Sequence, residues 1–256
     1  LTITASTCFK PLASMPGLTL VGVGPGDPDL LTVAAVRAIT AASVVAYPVA
    51  RLGGEGMAAS IAAPWLAAHQ RRLPLLFPMV QEAEPRRQAW RQAADHLAAE
   101  VAAGEAVVLL CEGDVSLFAT SSYVLLALRR HHPDLTVRLI PGIPAVSAAA
   151  AAGAWPLALQ REGVLILPTP DRSPELEALL DQAAAAGWVL ALLKLGGRWA
   201  WVRPLLEHRG LLDSALFAQR VGWPDQVLGP ARALAPAESP YFSLLLIRQG
   251  QAAVLP

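Results

Sequence analysis

The feature that most constrains this chain is a set of three glycine-bearing turns that follow short, largely apolar runs. Gly22 and Gly24 mark the end of 18–23, Gly113 follows 106–111, and Gly142 follows 137–140. Apolar runs without polar alternation suit strands buried on both faces, which is the condition of a parallel sheet covered by crossover helices. In the first half the strands are expected over 18–23, 43–47 (closed by Pro48), 73–77 and 106–111. Helices are expected between them over 29–40, 56–69 (broken at Pro64), 84–103 and 118–130, with Gly104 where a C-cap belongs. Residues 137–140 read as one more strand or as a linker. The second half offers helices over 145–154, 174–186 and 199–208, and strands over 164–167, 188–195, 215–221 and 241–247. Short returns between the last strands suggest a mixed sheet. The expected organisation is an N-terminal extension over 1–16 followed by two α/β domains, 17–133 and 134–256.

Composition narrows the function classes. The 256 residues carry 20 basic and 20 acidic side chains, for a net charge of zero. A nucleic-acid partner needs a clustered basic surface and is not expected. An apolar fraction of 54% against 16% charged residues excludes a disordered chain. Mean hydropathy is +0.44, but alanine supplies much of it, and the most apolar stretches fall short of the ~20 residues a spanning helix needs. Thr2, Thr4, Ser6 and Thr7 make the first residues a poor signal peptide. The expectation is a globular cytoplasmic protein with no membrane span. Cys8 and Cys111 cannot form a disulfide framework, and Cys111, ending an apolar run, reads as a buried thiol. His69, His96, His131, His132 and His208 show no metal-ligand spacing, so no metal is expected. No GxSxG is present to make a hydrolase nucleophile elbow.

The turns carry more information. Gly22 and Gly24 begin a dinucleotide fingerprint, but Asp27 stands where its third glycine belongs. A carboxylate there would repel a pyrophosphate at the helix N-terminus. With no GK[ST] either, the loop suits a ligand that is not a polyphosphate. Asp27 and Asp29 also have the plainer role of helix-capping residues. In the second turn Glu112 and Asp114 flank Gly113 at the end of a central strand, where open α/β sheets bind ligands. They could accept from hydroxyl or amino groups; side chains facing opposite ways at the strand end are expected, which would make them a poor acid–base pair.

Taken together, GVGPGDPDLLT at 22–32, VVAYP at 44–48, CEGDVSLF at 111–118 and PGIPAVSAAAAAG at 141–153 resemble the tetrapyrrole methylase family. The resemblance runs from about residue 17 to 248. LPLLFPM at 73–79, the helix containing Trp90 and SPYFSLLLI at 239–247 are similar to members that methylate C20 of precorrin-2 in cobalamin biosynthesis. The resemblance implies two α/β domains with an active-site trough between them, S-adenosylmethionine as cofactor, a tetrapyrrole substrate and a homodimer. It would place cofactor contacts on Pro25, Glu112, Gly113, Asp114, Leu117, Pro144, Ala145, Leu195 and Gly222. Many relatives have Ser or Thr where Pro144 and Ala145 stand, so a hydroxyl contact is missing here.

The implied reaction moves a methyl from a sulfonium to an electron-rich meso carbon, which needs no protein nucleophile. Orientation and exclusion of water, worth up to ~7–11 kcal/mol, would be the main contribution. Asp27, Glu112 and Tyr241 are the candidates for managing the proton. Arg37, Arg51 and Arg161 are the candidates for the substrate's carboxylates, each with a solvated surface charge as its plain alternative. Two other readings stay open. One is a sister methyltransferase acting on cobalt-factor II or at another ring carbon. The other is a non-catalytic ligand-binding protein on the same fold.

Overall fold

The structure, a computed structural model, describes residues 16–51, 53–235 and 241–250. The expected extension lies outside these residues except for Pro16, as does Cys8. The described chain divides into two compact units, at Pro144/Ala145.

The first unit is a parallel sheet wrapped by helices. Its elements are β1 (Gly17–Gly22), α1 (Val33–Ala41), β2 (Val44–Val49), α2 (Met57–Ala62), β3 (Arg71–Leu76), α3 (Ala83–Ala102), β4 (Ala106–Cys111), α4 (Thr120–His131) and β5 (Val137–Ile140). The five strands lie in the order β3-β2-β4-β1-β5, every neighbouring pair parallel. Leu18, Leu20, Val44, Ala46, Val107 and Leu109 pack with Ala93, Ala94 and Leu97 of α3 and Val124 and Leu128 of α4. The alternate residues Val21, Val45, Val108 and Leu110 are equally buried, on the face where α1 and α2 meet the sheet. Burial on both faces is why these strands are apolar without interruption.

Several boundaries differ from the sequence expectation; the helix expected over 56–69, for one, ends at Ala62 and continues only as a 3-10 turn at Ala63–Trp65. The division near residue 133 moves to Pro144/Ala145, because β5 pairs with β1 from Leu18↔Val137 to Val21↔Ile140 and so completes the first sheet. Pro48 lies inside β2 rather than closing it. The β2–β4 ladder covers only Val44–Ala46, so the missing N–H at Pro48 costs no bond to β4. The helix expected over 29–40 is split: Asp27 caps a 3-10 turn at Pro28–Leu30, and the Thr32 hydroxyl accepts from Ala35 N–H (3.1 Å) to start α1.

The second unit contains α5 (Ala145–Ala152), β6 (Gly163–Pro168), α6 (Ser173–Ala186), β7 (Trp188–Leu193), α7 (Trp199–His208), β8 (Ala215–Gln219), β9 (Val227–Pro230) and β10 (Ser243–Ile247). The sheet order is β6-β7-β10-β8-β9. It is mixed, as expected: β6 and β7 are parallel, and the other pairs are antiparallel. Its core joins Leu190, Leu192, Phe217, Leu245 and Ile247 to Leu176 and Leu180 of α6 and Trp199, Val202 and Leu206 of α7. The buried Trp199 ring satisfies its Nε1–H on Ala235 O at 2.8 Å. Helix α5 meets β10, and beyond its end a Cβ on Gly153 would sit 2.6 Å from the Leu216 side chain. No helix among the described residues is long and apolar enough to cross a membrane.

Candidate functional site

In the first sheet β1 and β4 are neighbours, yet the chain leaves β1 toward β2 and leaves β4 toward β5, in opposite directions. That is a topological switch point, and the loops after these strands open where α/β sheets bind ligands. The strand ends are fastened backbone to backbone. Gly24 N–H donates to Gly113 O (3.2 Å) and Gly113 N–H donates to Gly24 O (2.7 Å), an antiparallel bridge beyond the parallel ladder. Both glycines make it at positive φ, +78° and +66°.

The turn after β5 closes onto the same point. A Cβ on Gly142 would stand 2.1 Å from Gly113 O, and one on Gly22 would stand 2.5 Å from Gly142 N. These two glycines are required by packing of the turns on one another. Gly113 differs, since open space lies where its Cβ would be. Asp114 completes the joint: its Oδ2 accepts from Gly142 N–H (3.1 Å), and its Oδ1 accepts from Ser116 N–H (2.9 Å) and Ser116 Oγ–H (2.5 Å). Burial opposes its ionisation, but the bonds from Ser116, Gly142 and Val115 prevail and hold the carboxyl below its ordinary range.

Glu112 has the opposite environment. Burial pushes its pKa up, partly offset by a hydrogen bond from Ala58 N–H in the first turn of α2. Gly56, the N-cap of α2, has no side chain to satisfy that turn, so Glu112 does so from β4. The two acids part company, and the reason is the turn: residues two apart on a strand share a face, but Gly113 at φ +66° breaks the strand between them. Cys111 is buried, which pushes its thiol up to about 11, and the Ser121 hydroxyl donates to its sulfur (3.2 Å). It is an unreactive core thiol.

The other first-unit candidates divide. Pro25 and Leu117 are half-buried in the two turns, and Pro144 is half-buried after the third, with Ala145 opening α5 in the second unit. Asp27 spends Oδ1 on Asp29 N–H (2.8 Å), the capping role. Arg51 is exposed just beyond β2, lining a hollow with Ala50, Gly53, Gly54 and Glu55 at the same sheet end as the turns. Arg37 is exposed in the middle of α1, on a helix rather than on a strand-end turn.

In the second unit one sheet end gathers the residues after β6, β7 and β8 and before β10. Leu195, Gly222 and Tyr241 are all there. The Leu195 side chain is buried in the core, its N–H donates to Ser243 O (3.0 Å), and its carbonyl accepts from Arg198 N–H (3.1 Å). Gly222, at φ +82°, donates its N–H to Gln226 Oε1 (2.7 Å). Tyr241 is exposed, edge-on to Phe242, with the Lys194 ammonium 5.9 Å from its ring centroid. Arg161 precedes β6 and therefore sits at the opposite end of this sheet, away from the other three. No group of three or more His, Cys, Asp or Glu side chains among the described residues is placed to hold a metal ion.

Sequence reasoning missed Lys194 and the Glu112–α2 and Asp114–Gly142 contacts. The signal for Lys194 was present: LLKLGGR at 192–198 is a further apolar strand followed by a glycine turn and a helix.

Comparison with known proteins fits this geometry. Residues 17–234 match the family model of the Tetrapyrrole (Corrin/Porphyrin) Methylases. The chain is 37% identical to "Cobalamin biosynthesis protein CobIJ" of Mycobacterium tuberculosis over 90% of its own length, and spans about half (46%) of that protein. It is 30% identical to a cobalt-precorrin-2 C(20)-methyltransferase of Salmonella typhimurium, covering 91% of this chain and 96% of that one. It is 32% identical to a precorrin-2 C(20)-methyltransferase of a Sinorhizobium species, covering 89% and 93%. In fold it is similar to the uroporphyrin-III C-methyl transferase of Thermus thermophilus complexed with S-adenyl homocysteine. There the TM-score is 0.60 and the identity 24%, over 91% of this chain and 97% of that one. With its strand-end turns and a match along most of its length, the chain belongs to the tetrapyrrole (corrin/porphyrin) methylases.

Proposed function

We propose that this chain is an S-adenosylmethionine-dependent C-methyltransferase that adds one methyl group at C20 of precorrin-2, in cobalamin biosynthesis. The observation that carries the reading is the match, along nearly the whole of both partners, to two enzymes named for that carbon. One of those relatives is named for a cobalt-bearing substrate and the other for the metal-free one, at similar identity. Cobalt-precorrin-2 is therefore the second reading of the substrate.

The first unit's turns fit the cofactor. Bound S-adenosylmethionine would supply a transferable methyl on a cationic sulfonium. Around the switch point the chain presents glycine backbone, Pro25 and Leu117, and two carboxylates, Glu112 and Asp114, with open space over Gly113. Such a surface favours a cation and disfavours a polyphosphate. Asp114 acts by holding the turns in place, since both its oxygens are engaged within the unit. Glu112, half-buried and with a raised pKa, is the group best suited to take up the proton that leaves the methylated carbon. Pro144 offers no hydroxyl or N–H, so its contribution is shape. Arg51, at the same sheet end, is the first-unit arginine placed to meet a substrate carboxylate. The proposed setting is cytoplasmic and the proposed assembly a homodimer, to be read by fractionation and sedimentation.

The test is incubation with S-adenosylmethionine carrying a 13C methyl, and with precorrin-2 or its cobalt complex in separate arms. One added methyl by mass spectrometry, assigned to C20 by NMR, is expected. Transfer to another carbon would reassign the enzyme within its family, and no transfer to either substrate would overturn the enzyme reading.

A further inference from the structure

We propose that Lys194 is an anchoring residue for a carboxylate of the tetrapyrrole substrate, with the Tyr241 ring beside it meeting the edge of the macrocycle. The inference rests on the substrate class argued above and concerns the second unit's sheet end by itself.

Three observations converge there. First, Lys194 directly follows β7 with φ +56°, a left-handed conformation that disfavours a residue with a Cβ relative to glycine. The surroundings enforce it: Arg198 Nη1 donates to Lys194 O (3.1 Å), and the next residue, Leu195, is tied to Ser243 O. Glycine would hold this backbone at lower cost, and Gly196 two residues on does so at φ +52°. A lysine kept at such a position needs a reason in its side chain. Second, the neighbouring cations at this sheet end are matched by acids and Lys194 is not. Arg198 pairs with Asp171 and Arg220 with Asp225, whereas no carboxylate among the described residues reaches ion-pairing distance of the Lys194 ammonium. Third, that ammonium stands 5.9 Å from the ring centroid of Tyr241, and Tyr241 and Phe242 are exposed by 44% and 42%. A cation-π contact leaves the donor hydrogens of an ammonium available, so a carboxylate can still be bound. A flat ligand edged with carboxylates presents the complement of both features: ring surface for the aromatics and an anion for the lysine.

Uroporphyrin, a stable polycarboxylate porphyrin, serves as the probe, and its uncharged methyl ester as the control. Binding is followed by tryptophan quenching in the parent chain and in Lys194→Gly, Lys194→Met and Lys194→Arg. The glycine variant relaxes the backbone, and its affinity for S-adenosylhomocysteine and for the ester reports whether the fold is intact. Uroporphyrin affinity is expected to fall roughly tenfold in the glycine and methionine variants, with substantial recovery in the arginine variant. Affinity for the ester and for S-adenosylhomocysteine should stay unchanged. If the variants bind uroporphyrin as the parent does, the assignment of Lys194 is overturned while the substrate reading stands. If S-adenosylhomocysteine alone is weakened, the carboxylate in question belongs to the cofactor and the proposal is again overturned. If the parent binds no uroporphyrin, the substrate reading fails first and the proposal fails with it.

Discussion

The two sheets end in turns that are fastened differently. In the first unit the strand ends are locked by glycine on glycine, with the reciprocal Gly24–Gly113 bonds and Gly142 pressed against Gly22 and Gly113 O. The acids Glu112 and Asp114 stand in those turns. In the second unit long cationic residues join glycine in left-handed backbone, Lys194 at +56° and Arg220 at +47° beside Gly196 and Gly222. The groups there are cationic and aromatic, with the Arg220 guanidinium 4.6 Å from the Trp223 ring centroid. A chain of zero net charge thereby presents Glu112 and Asp114 at one sheet end and, at the other, Lys194 without an acid partner among the described residues. An acidic glycine joint suits a sulfonium, and a cationic aromatic edge suits a polycarboxylate.

The largest effect should come from breaking the glycine joint. Gly142→Ala puts a Cβ into a carbonyl oxygen and is expected to cost ~3 kcal/mol in a urea titration, with loss of S-adenosylhomocysteine binding. Gly197→Ala is its counterpart in the second unit, where open space surrounds the site, and should change stability by no more than about 0.5 kcal/mol. Equal costs at the two positions would erase the contrast.

Asp114→Ala comes next, at ~2 kcal/mol, because it leaves Gly142 N–H and Ser116 N–H without their acceptor. Since the folded-state pKa of Asp114 is lowered, its stabilisation is present above the unfolded value of ~3.9 and is lost as pH falls through the folded one. Denaturation curves of parent and variant should therefore draw together in acid.

In the second unit Lys194→Gly should raise stability by ~1 kcal/mol, visible as a higher thermal midpoint, while it weakens the carboxylate ligand. The smallest effect concerns Glu112, whose raised pKa makes its stabilisation complete below the unfolded value of ~4.3 and diminished as pH rises through the folded one. Glu112→Gln is thus expected to be slightly more stable than the parent at neutral pH and equal to it in acid, while methyl transfer slows. A variant less stable at neutral pH would mean that capping α2 outweighs the burial of charge.

Much of the scaffold was legible because burial on both faces leaves an unmistakable apolar run. The strand at 106–111 and the helix at 199–208 lie where the sequence places them. Strand β9 was not foreseen, since VLGP is short and carries a glycine and a proline, and only its pairing with β8 makes it a strand. The domain boundary was misplaced for a related reason: whether a short apolar segment is a linker or an edge strand depends on the partner it finds. At the site, the backbone turns followed from local rules, whereas strand alternation alone would put Glu112 and Asp114 on one face and it is the left-handed Gly113 that parts them. The partners of those acids did not follow from local rules, because Ala58 and Gly142 are remote in sequence and periodicity carries no information about them. Arg161 illustrates the same limit. Proximity to a strand says nothing about which end of the sheet it occupies, and that depends on strand direction.

The strand order has a consequence for synthesis. Among the described residues the sheet neighbours of β1 are β4 and β5, the last two strands of its unit. A nascent chain emerging from the ribosome holds β1 without either neighbour until Cys111 is out, and with one edge open until Ile140 is out. Until then the Gly24–Gly113 joint lacks Gly142, which packs against it, and a growing chain is expected to show no affinity for the cofactor.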